Sequence, residues 1–292
     1  MTSLTKSKKI VFIIGAPRSG TNMLRDFICL HPEITCFPCD EIPFLWRFGA
    51  QFSETDILQS NWHKTKSASK VKKIFNRWMS WHMNKNKNIF IEKTCANSLR
   101  VWELSKLFPK AKFIFIFRSG FDVIASAERK KRHRDMSRTN IFSKLKFVPV
   151  TQIFQVVLNI IYQKVVHGIV AWGPRIADNP RLLKNLSDNE YVASQWMQCV
   201  NFALNDSAKI SSDRCIYLGY ENFVIDPKSS SDLLANFLEV GSSGFANGLK
   251  TISTASINKG ADIANSAHDD TFSAIQSMNK KISNKITKKL DQ

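Results

Sequence analysis

Ile10-Val11-Phe12-Ile13-Ile14-Gly15-Ala16-Pro17-Arg18-Ser19-Gly20-Thr21-Asn22 is the stretch that decides how this chain folds. A mostly β-branched apolar run enters a turn with a glycine at each end, and helix-length sequence follows directly. A buried strand, a tight turn and a helix start in that order aim backbone N–H groups and a helix dipole at an anion. The spacing follows the G-x-x-x-x-G of a Walker A loop, but Thr21-Asn22 stand where that loop has Lys and Ser/Thr. Without that lysine, and without a hydroxyl at the Mg²⁺ position, ordinary nucleoside triphosphate hydrolysis is poorly supported. Arg18 is left to supply the positive charge. The plainer alternative is a strand–turn–helix with no ligand.

A second strand of the same kind is Lys112-Phe113-Ile114-Phe115-Ile116-Phe117, which delivers Arg118 at its C-terminal end. Ligands of open α/β sheets bind at such ends. Ser126 follows eight residues later, two turns into the next helix. The local alternative is that Arg118 pairs with Asp122. Two further runs, Asn88–Glu92 and Arg214–Gly219, also read as buried parallel strands. Helix-length segments lie between them at Asn22–Leu30, Val71–Met83, Ser98–Phe108 and Phe121–Arg132. This alternation predicts an α/β fold, a P-loop-like parallel β-sheet covered by helices on both faces. One domain over residues 1–292 is expected, with a helical insertion or lid at about 136–189 and a basic tail at about 277–292.

Hydrophobic residues at 43% exclude a disordered chain, and 11 Gly with 9 Pro exclude a collagen-like one. Forty-two Lys and Arg against 24 Asp and Glu leave a net charge of +18, a field that attracts polyanions without choosing among them. The chain is large and its basic start resembles no secretory signal, so a disulfide framework is not expected from its 6 cysteines. A cytoplasmic, reducing location is the reading, with peripheral membrane contact as an addition. The longest charge-free stretch, Phe147–Gln163, has 17 residues and includes Pro149, Gln152, Gln155 and Asn159, short of a ~20-residue span. Its apolar residues surround most of a helix. Burial against the sheet domain is the first reading of it, and an interfacial membrane patch the second.

Taken together the motifs are specific. Pro17-Arg18-Ser19-Gly20-Thr21 resembles the 5′-phosphosulfate loop of sulfotransferases that use 3′-phosphoadenosine 5′-phosphosulfate (PAPS). Arg118 and Ser126 resemble that family's 3′-phosphate pair. Ile91-Glu92-Lys93-Thr94 before Leu107-Phe108-Pro109-Lys110 is similar to the tyrosylprotein and bacterial carbohydrate-type branches. Trp172-Gly173-Pro174-Arg175, the stretch from Ser194 to Val200, and Leu218-Gly219-Tyr220-Glu221-Asn222 look like bacterial members. The resemblance implies a PAPS-dependent sulfotransferase with no metal. It assigns Pro17, Arg18, Ser19, Gly20, Thr21, Asn22, Arg118, Ser126, Lys130, Tyr220 and Lys259 to the nucleotide, and Lys93 to catalysis beside Arg18. The implied partner is a hydroxyl acceptor, a glycan or glycolipid first, and not nucleic acid.

The chemistry is consistent with those residues. PAPS carries a phosphate at 3′ and a phosphosulfate at 5′, so its site needs two separated anion holes, and Arg18 and Arg118 should end neighbouring strands. Fixed cations aimed at a leaving phosphate lower the barrier to sulfuryl transfer. The base is expected at Glu41, with Asp40 second. In the tyrosylprotein branch the corresponding Glu follows the His31-Pro32 segment, and an ungapped count places it on Cys39, so one or two residues of shift are needed. The alternative is that these carboxylates cap the next helix. Cys36-x-x-Cys39 has no second ligand pair and is not expected to hold metal. The basic run from Arg129 to Arg134 is a solvated face or reaches the nucleotide. A P-loop-type kinase, a tyrosylprotein or small-molecule sulfotransferase, and a basic module for nucleic acid or anionic membrane are the competing functions.

Overall fold

The computed structural model describes residues 8–50, 53, 55–83, 87–132, 147–158, 161, 173–176, 187–254, 257, 259–266 and 269–290. Of the expected insertion, 136–146, 159–160, 162–172 and 177–186 lie outside the described residues. Five parallel strands form one sheet in the order β2-β3-β1-β4-β5. They are β1 (Lys9–Ile14), β2 (Ile34–Cys36), β3 (Ile89–Lys93), β4 (Lys112–Phe117) and β5 (Cys215–Gly219). Four of them are the expected runs. The unexpected one, β2, has only three residues, too few to show a period.

Among the described residues, the helices before β5 include α1 (Thr21–Cys29), α2 (Pro43–Trp46), α3 (Lys66–His82), α4 (Val101–Leu107), α5 (Gly120–Arg132) and α6 (Asp188–Ser207). After it come α7 (Tyr220–Ile225), α8 (Pro227–Leu238), α9 (Ala246–Leu249), α10 (Ala261–Ser266) and α11 (Asp269–Leu290). The expected basic tail is the C-terminal part of α11. Among the described residues no helix is long and apolar enough to cross a membrane.

The strands read as continuous apolar runs because both faces are covered, yet the faces differ in chemistry. Phe12, Phe90, Phe113, Phe115, Phe117 and Tyr217 point to one side. Val11, Ile13, Ile91, Ile114, Ile116 and Leu218 point to the other. Rings on the first side touch one another across strands, Phe12 to Phe113 at 5.6 Å and Phe115 to Tyr217 at 5.1 Å. Phe75 of α3, Leu104 of α4, Trp196 of α6 and Ile275 of α11 close over them. Leu24 and Phe27 of α1, Phe223 of α7 and Leu234 of α8 close over the aliphatic side. Each such side chain contributes about 1.5–3 kcal/mol on burial.

The order of strands positions the site. The chain passes from β1 out to β2, returns through β3, and crosses β1 to reach β4. The carboxyl ends of β3, β1 and β4 therefore flank the point where the winding reverses, the usual ligand crevice of an open α/β sheet. Arg18 and Arg118 do follow neighbouring strands, since Ile14 of β1 pairs with Phe115 of β4.

One bond departs from the sequence expectation. Cys29 and Cys36 form a disulfide, with Cα atoms 5.8 Å apart. The last turn of α1 and the neighbouring β2 bring them together, a proximity that spacing alone does not reveal. Cys39, Cys95, Cys199 and Cys215 remain thiols.

The loop after β1 rests on Gly20, whose φ of 89° favours glycine. A Cβ there would lie 2.2 Å from the Tyr220 ring. Gly20→Ala is therefore expected to destabilise the fold by roughly 1–3 kcal/mol, a drop of several degrees in Tm. Gly241→Ala is the control: its φ is −71° and its nearest neighbour would be 3.8 Å away. Thermal unfolding of both variants checks this, and equal melting temperatures would refute it.

Candidate active site

The β1–α1 loop is built to receive an anion. Arg18 and Gly20 both take positive φ, 67° and 89°. The α1 N-terminus has no side-chain cap and no acidic residue in its first turn, so its N–H groups and dipole lack a local counter-charge. Ser19 is 1% exposed, and its Oγ has no hydrogen-bond partner among the described residues. A buried hydroxyl without a partner is costly unless a ligand supplies one.

Two guanidiniums meet at this loop. Arg118 donates from Nη1 to the Arg18 carbonyl at 3.3 Å, and its guanidinium lies 4.3 Å from the centre of the Tyr220 ring. Arg18 donates from Nε to Ser126 Oγ at 3.1 Å, which leaves that hydroxyl's own proton to offer elsewhere. Burial first, and then the Arg118 and Arg129 charges, lower the Arg18 pKa from its ordinary value. A guanidinium disfavoured by burial and by neighbouring cations sits in a hole shaped for negative charge. The local pair also exists, Arg118 to Asp122 at 3.7 Å, while Asp122 accepts from the Gly260 N–H at 2.7 Å. Thr21 is buried against Cys95, its Oγ1 3.6 Å from the sulfur, whereas Asn22, Lys130 and Lys259 are exposed.

At the end of β3, Lys93 is almost wholly buried and holds both candidate carboxylates, Asp40 at 2.8 Å and Glu41 at 3.0 Å. Asp40 also pairs with Arg25 of α1, and Glu41 accepts from the Cys95 N–H at 3.3 Å. The capping alternative is not what forms: the N-cap of α2 is Ile42, and no side chain caps it. Burial works against the Lys93 charge, but the Cys95 sulfur and the Glu41 and Asp40 carboxylates more than offset it and raise its pKa. Arg25 is a site neighbour that the sequence reading missed. Its position one helical turn after Thr21 was the available signal.

Beneath this pair lies a buried acid. Glu92 accepts from Thr94 Oγ1 at 2.5 Å, Trp46 Nε1 at 3.2 Å and Asn97 Nδ2 at 2.8 Å. Thr94 Oγ1 in turn accepts from the Ile42 N–H at 3.1 Å. Glu92 thereby fixes the Asp40-Glu41 loop to the end of β3. Its signal in the sequence was a carboxylate inside an apolar strand, which burial would oblige to find partners.

Farther along, Asp56 is buried and bound by Arg47 at 2.6 Å, by Arg100 at 3.1 Å, and by the backbone N–H of Arg175 at 2.8 Å. Burial opposes its charge, but the Arg47 and Arg100 guanidiniums hold its carboxyl far below the usual range. Gln195 donates to the Pro174 carbonyl at 2.8 Å, and a Cβ on Gly173 would meet Pro17 at 3.3 Å. The Gly173–Arg175 turn is thus held against the β1–α1 loop. Beyond Arg118, the ends of β4 and β5 and α11 enclose about 670 Å³, lined among others by Asp122, Glu221 and Asn279. Two carboxylates beside one cation make that cavity chemically unlike the loop.

Residues 11–146 match a family model described as the sulfotransferase family. Protein-tyrosine sulfotransferase A of Caenorhabditis elegans is 18% identical over 249 residues, 80% of this chain and 51% of that protein. The chain therefore spans about half the length of the curated relative it matches. Among solved structures, the sulfotransferase domain from the curacin biosynthetic pathway aligns with a TM-score of 0.54 at 16% identity, covering 95% of this chain and 98% of that one. A sulfotransferase from Alicyclobacillus acidocaldarius aligns with a TM-score of 0.54 at 14% identity, covering 96% of each chain. At these identities the structural likeness shows the fold.

Burial raises Glu92 from 4.5 to about 7, against the bonds from Thr94 and Trp46. A raised carboxyl pKa gives stability that is complete below about pH 4.5 and lost as pH rises through about 7. Asn97 Oδ1 is buried with no partner among the described residues, so a flipped amide can accept from a protonated acid or a glutamine there. Wild-type Tm should therefore fall across that window while Glu92→Gln stays flat. Parallel pH profiles of the two proteins would overturn the assignment.

Proposed function

We propose that this chain, of the sulfotransferase family over residues 11–146, moves a sulfuryl group from PAPS to a hydroxyl acceptor and releases adenosine 3′,5′-bisphosphate. One observation carries the reading. Arg18, Lys93 and Arg118 follow three adjacent strands beside an uncapped helix N-terminus and the partnerless Ser19 hydroxyl. These groups fit a doubly anionic ligand. In this reading Pro17 to Asn22 cradle the 5′-phosphosulfate, while Arg118 and the free proton of Ser126 take the 3′-phosphate. Lys130, Tyr220 and Lys259 surround the nucleotide.

The donor supplies a sulfuryl group and a leaving phosphate on which negative charge grows. Lys93 Nζ and Arg18 stabilise that charge from fixed positions, and their burial strengthens the effect. Glu41 takes the acceptor's proton. It is preferred to Asp40 because Asp40 already answers two cations, Arg25 and Lys93, and stands farther into solvent. Binding of the donor beside Lys93 would draw the ammonium away from Glu41 and open that carboxylate to the acceptor hydroxyl.

A hydroxyl on a glycan or glycolipid is the acceptor we favour, on the likeness of the motifs to the bacterial carbohydrate-type branch. A tyrosine hydroxyl is the second reading, favoured by the relative from C. elegans. Transfer from labelled PAPS to each class separates them. The kinase alternative lacks its lysine at position 21, and activity that survives chelation of Mg²⁺ would exclude it.

Adenosine 3′,5′-bisphosphate should bind far more tightly than AMP in calorimetry. Arg118→Ala should weaken the bisphosphate roughly tenfold or more, the loss of one charge-assisted contact. Equal affinities for the two nucleotides would defeat the assignment.

Lys93→Ala should bind the bisphosphate almost normally yet lose on the order of 10²–10³ in turnover. Glu41→Gln should do likewise, with no rescue by added PAPS. Full activity in Glu41→Gln together with a dead Asp40→Asn would move the base to Asp40.

A further inference from the structure

Residues 150–158 and 161 turn their apolar face the wrong way for a core helix. Val150, Ile153, Phe154, Val157, Leu158 and Ile161 are all exposed, Val150 to 84% and Phe154 to 74%. Their spacing of three and four residues makes one continuous helical stripe. Val148, Gln152 and Val156 occupy the inward side. Gln152 fixes the segment by accepting from the Gly49 N–H at 3.2 Å, and Phe147 packs on Trp78 at 6.1 Å and on Phe37 at 5.1 Å. The burial expected first from the sequence does not hold for this stripe.

The neighbouring helix supplies charge. Lys66, Lys70, Lys73 and Arg77 are exposed at the same three-and-four spacing along α3, and the stripe ends in Trp81, 69% exposed. Arg77 lies 6.0 Å from the Trp81 ring centre. Lys70 Nζ lies 5.8 Å from the ring of Phe48, which precedes the Gly49 that holds Gln152. A mostly apolar ridge, with Thr151 and Gln155 exposed at its margin, therefore lies near a row of cations ending in an exposed indole. Such a pairing suits an interface where acyl chains lie beside anionic headgroups. The net charge of +18 adds attraction at longer range.

We propose that the apolar ridge of residues 150–158 and 161 and the basic stripe of α3 together form a docking face for an anionic lipid bilayer. The protein attaches peripherally: the ridge enters the headgroup boundary, and the lysines answer lipid charge. Phe37, against which the segment is anchored, stands three residues before Asp40. The ridge is thereby tied, through Phe147, to the segment that leads into the Asp40-Glu41 loop. The consequence for a membrane-held acceptor rests on the sulfotransferase reading, whereas the docking does not.

The full-length chain should co-sediment with vesicles of phosphatidylcholine doped with phosphatidylserine, and much less with phosphatidylcholine alone. High salt should release it, because screening acts on the basic stripe. Phe154→Glu with Val157→Glu, and separately Lys70→Glu with Lys73→Glu, should each lower partitioning at least about tenfold. Unchanged thermal unfolding and unchanged calorimetric binding of adenosine 3′,5′-bisphosphate would show that each variant is folded. That calorimetry also separates failure of docking from failure of the sulfotransferase reading. Equal binding to neutral and anionic vesicles, or none at low salt, overturns the proposal. So does a concentration-dependent dimer abolished by the Phe154 and Val157 substitutions, which would assign the ridge to a second copy of the chain.

Discussion

A buried ammonium at the end of β3 sets the terms for the rest of the site. Lys93 has only 1% of its side chain exposed, and a charge so placed must be matched or lost. Asp40 and Glu41 match it across more than fifty residues of sequence, and that pairing draws the segment after β2 over the sheet's carboxyl edge. Thr94 and Glu92 then lock the same segment through the Ile42 N–H. Remove the ammonium and two carboxylates face each other with one counter-charge between them, that of Arg25 on Asp40. The acid loop, the strand end and α1 are one electrostatic unit for this reason.

The sheet explains why three cations can meet without collapsing the fold. Its two faces are lined by different chemistry, mostly rings on one side of the strands and mostly branched aliphatic chains on the other. The three cations gather at the carboxyl edge, where Asp40 and Glu41 face Lys93 and Asp122 faces Arg118. Arg18 and Arg118 repel each other there, and a polyanion relieves that repulsion. Preorganised positive charge of this kind lies ready before any ligand arrives.

Much of this was legible in the sequence, for identifiable reasons. Phe113 to Phe117 announces a strand because alternation of large and branched residues leaves no other reading, and Gly15 and Gly20 bracket the turn that ends β1. Residues whose neighbours are local in sequence, or set by strand ends, could be located on the carboxyl edge from the sequence: Arg18, Arg118, Ser126 and Lys93. What was missed depends on distant partners. Ile34-Thr35-Cys36 is a strand only because β3 lies beside it, and Cys29 meets Cys36 only because α1 packs there. Asp40 and Glu41 stood out as base candidates, but their joint hold on Lys93 across the sheet edge needed the fold. The outward stripe from Val150 to Ile161 has the same periodicity whether it faces core or solvent, so its direction could not be read from periodicity at all.

The Gly173–Arg175 turn has a consequence for how such a chain can diversify. Gln152 is tied to Gly49, and the Arg175 N–H to Asp56, so both flanks of the intervening sequence are pinned to one short stretch between α2 and α3. Lengthening a segment whose ends are held in place adds closure entropy only logarithmically. Variation in length or composition between those two pins can therefore accumulate at little expense to the sheet or the anion loop. The two pins thus keep change between them from reaching the strand ends that carry Arg18, Lys93 and Arg118.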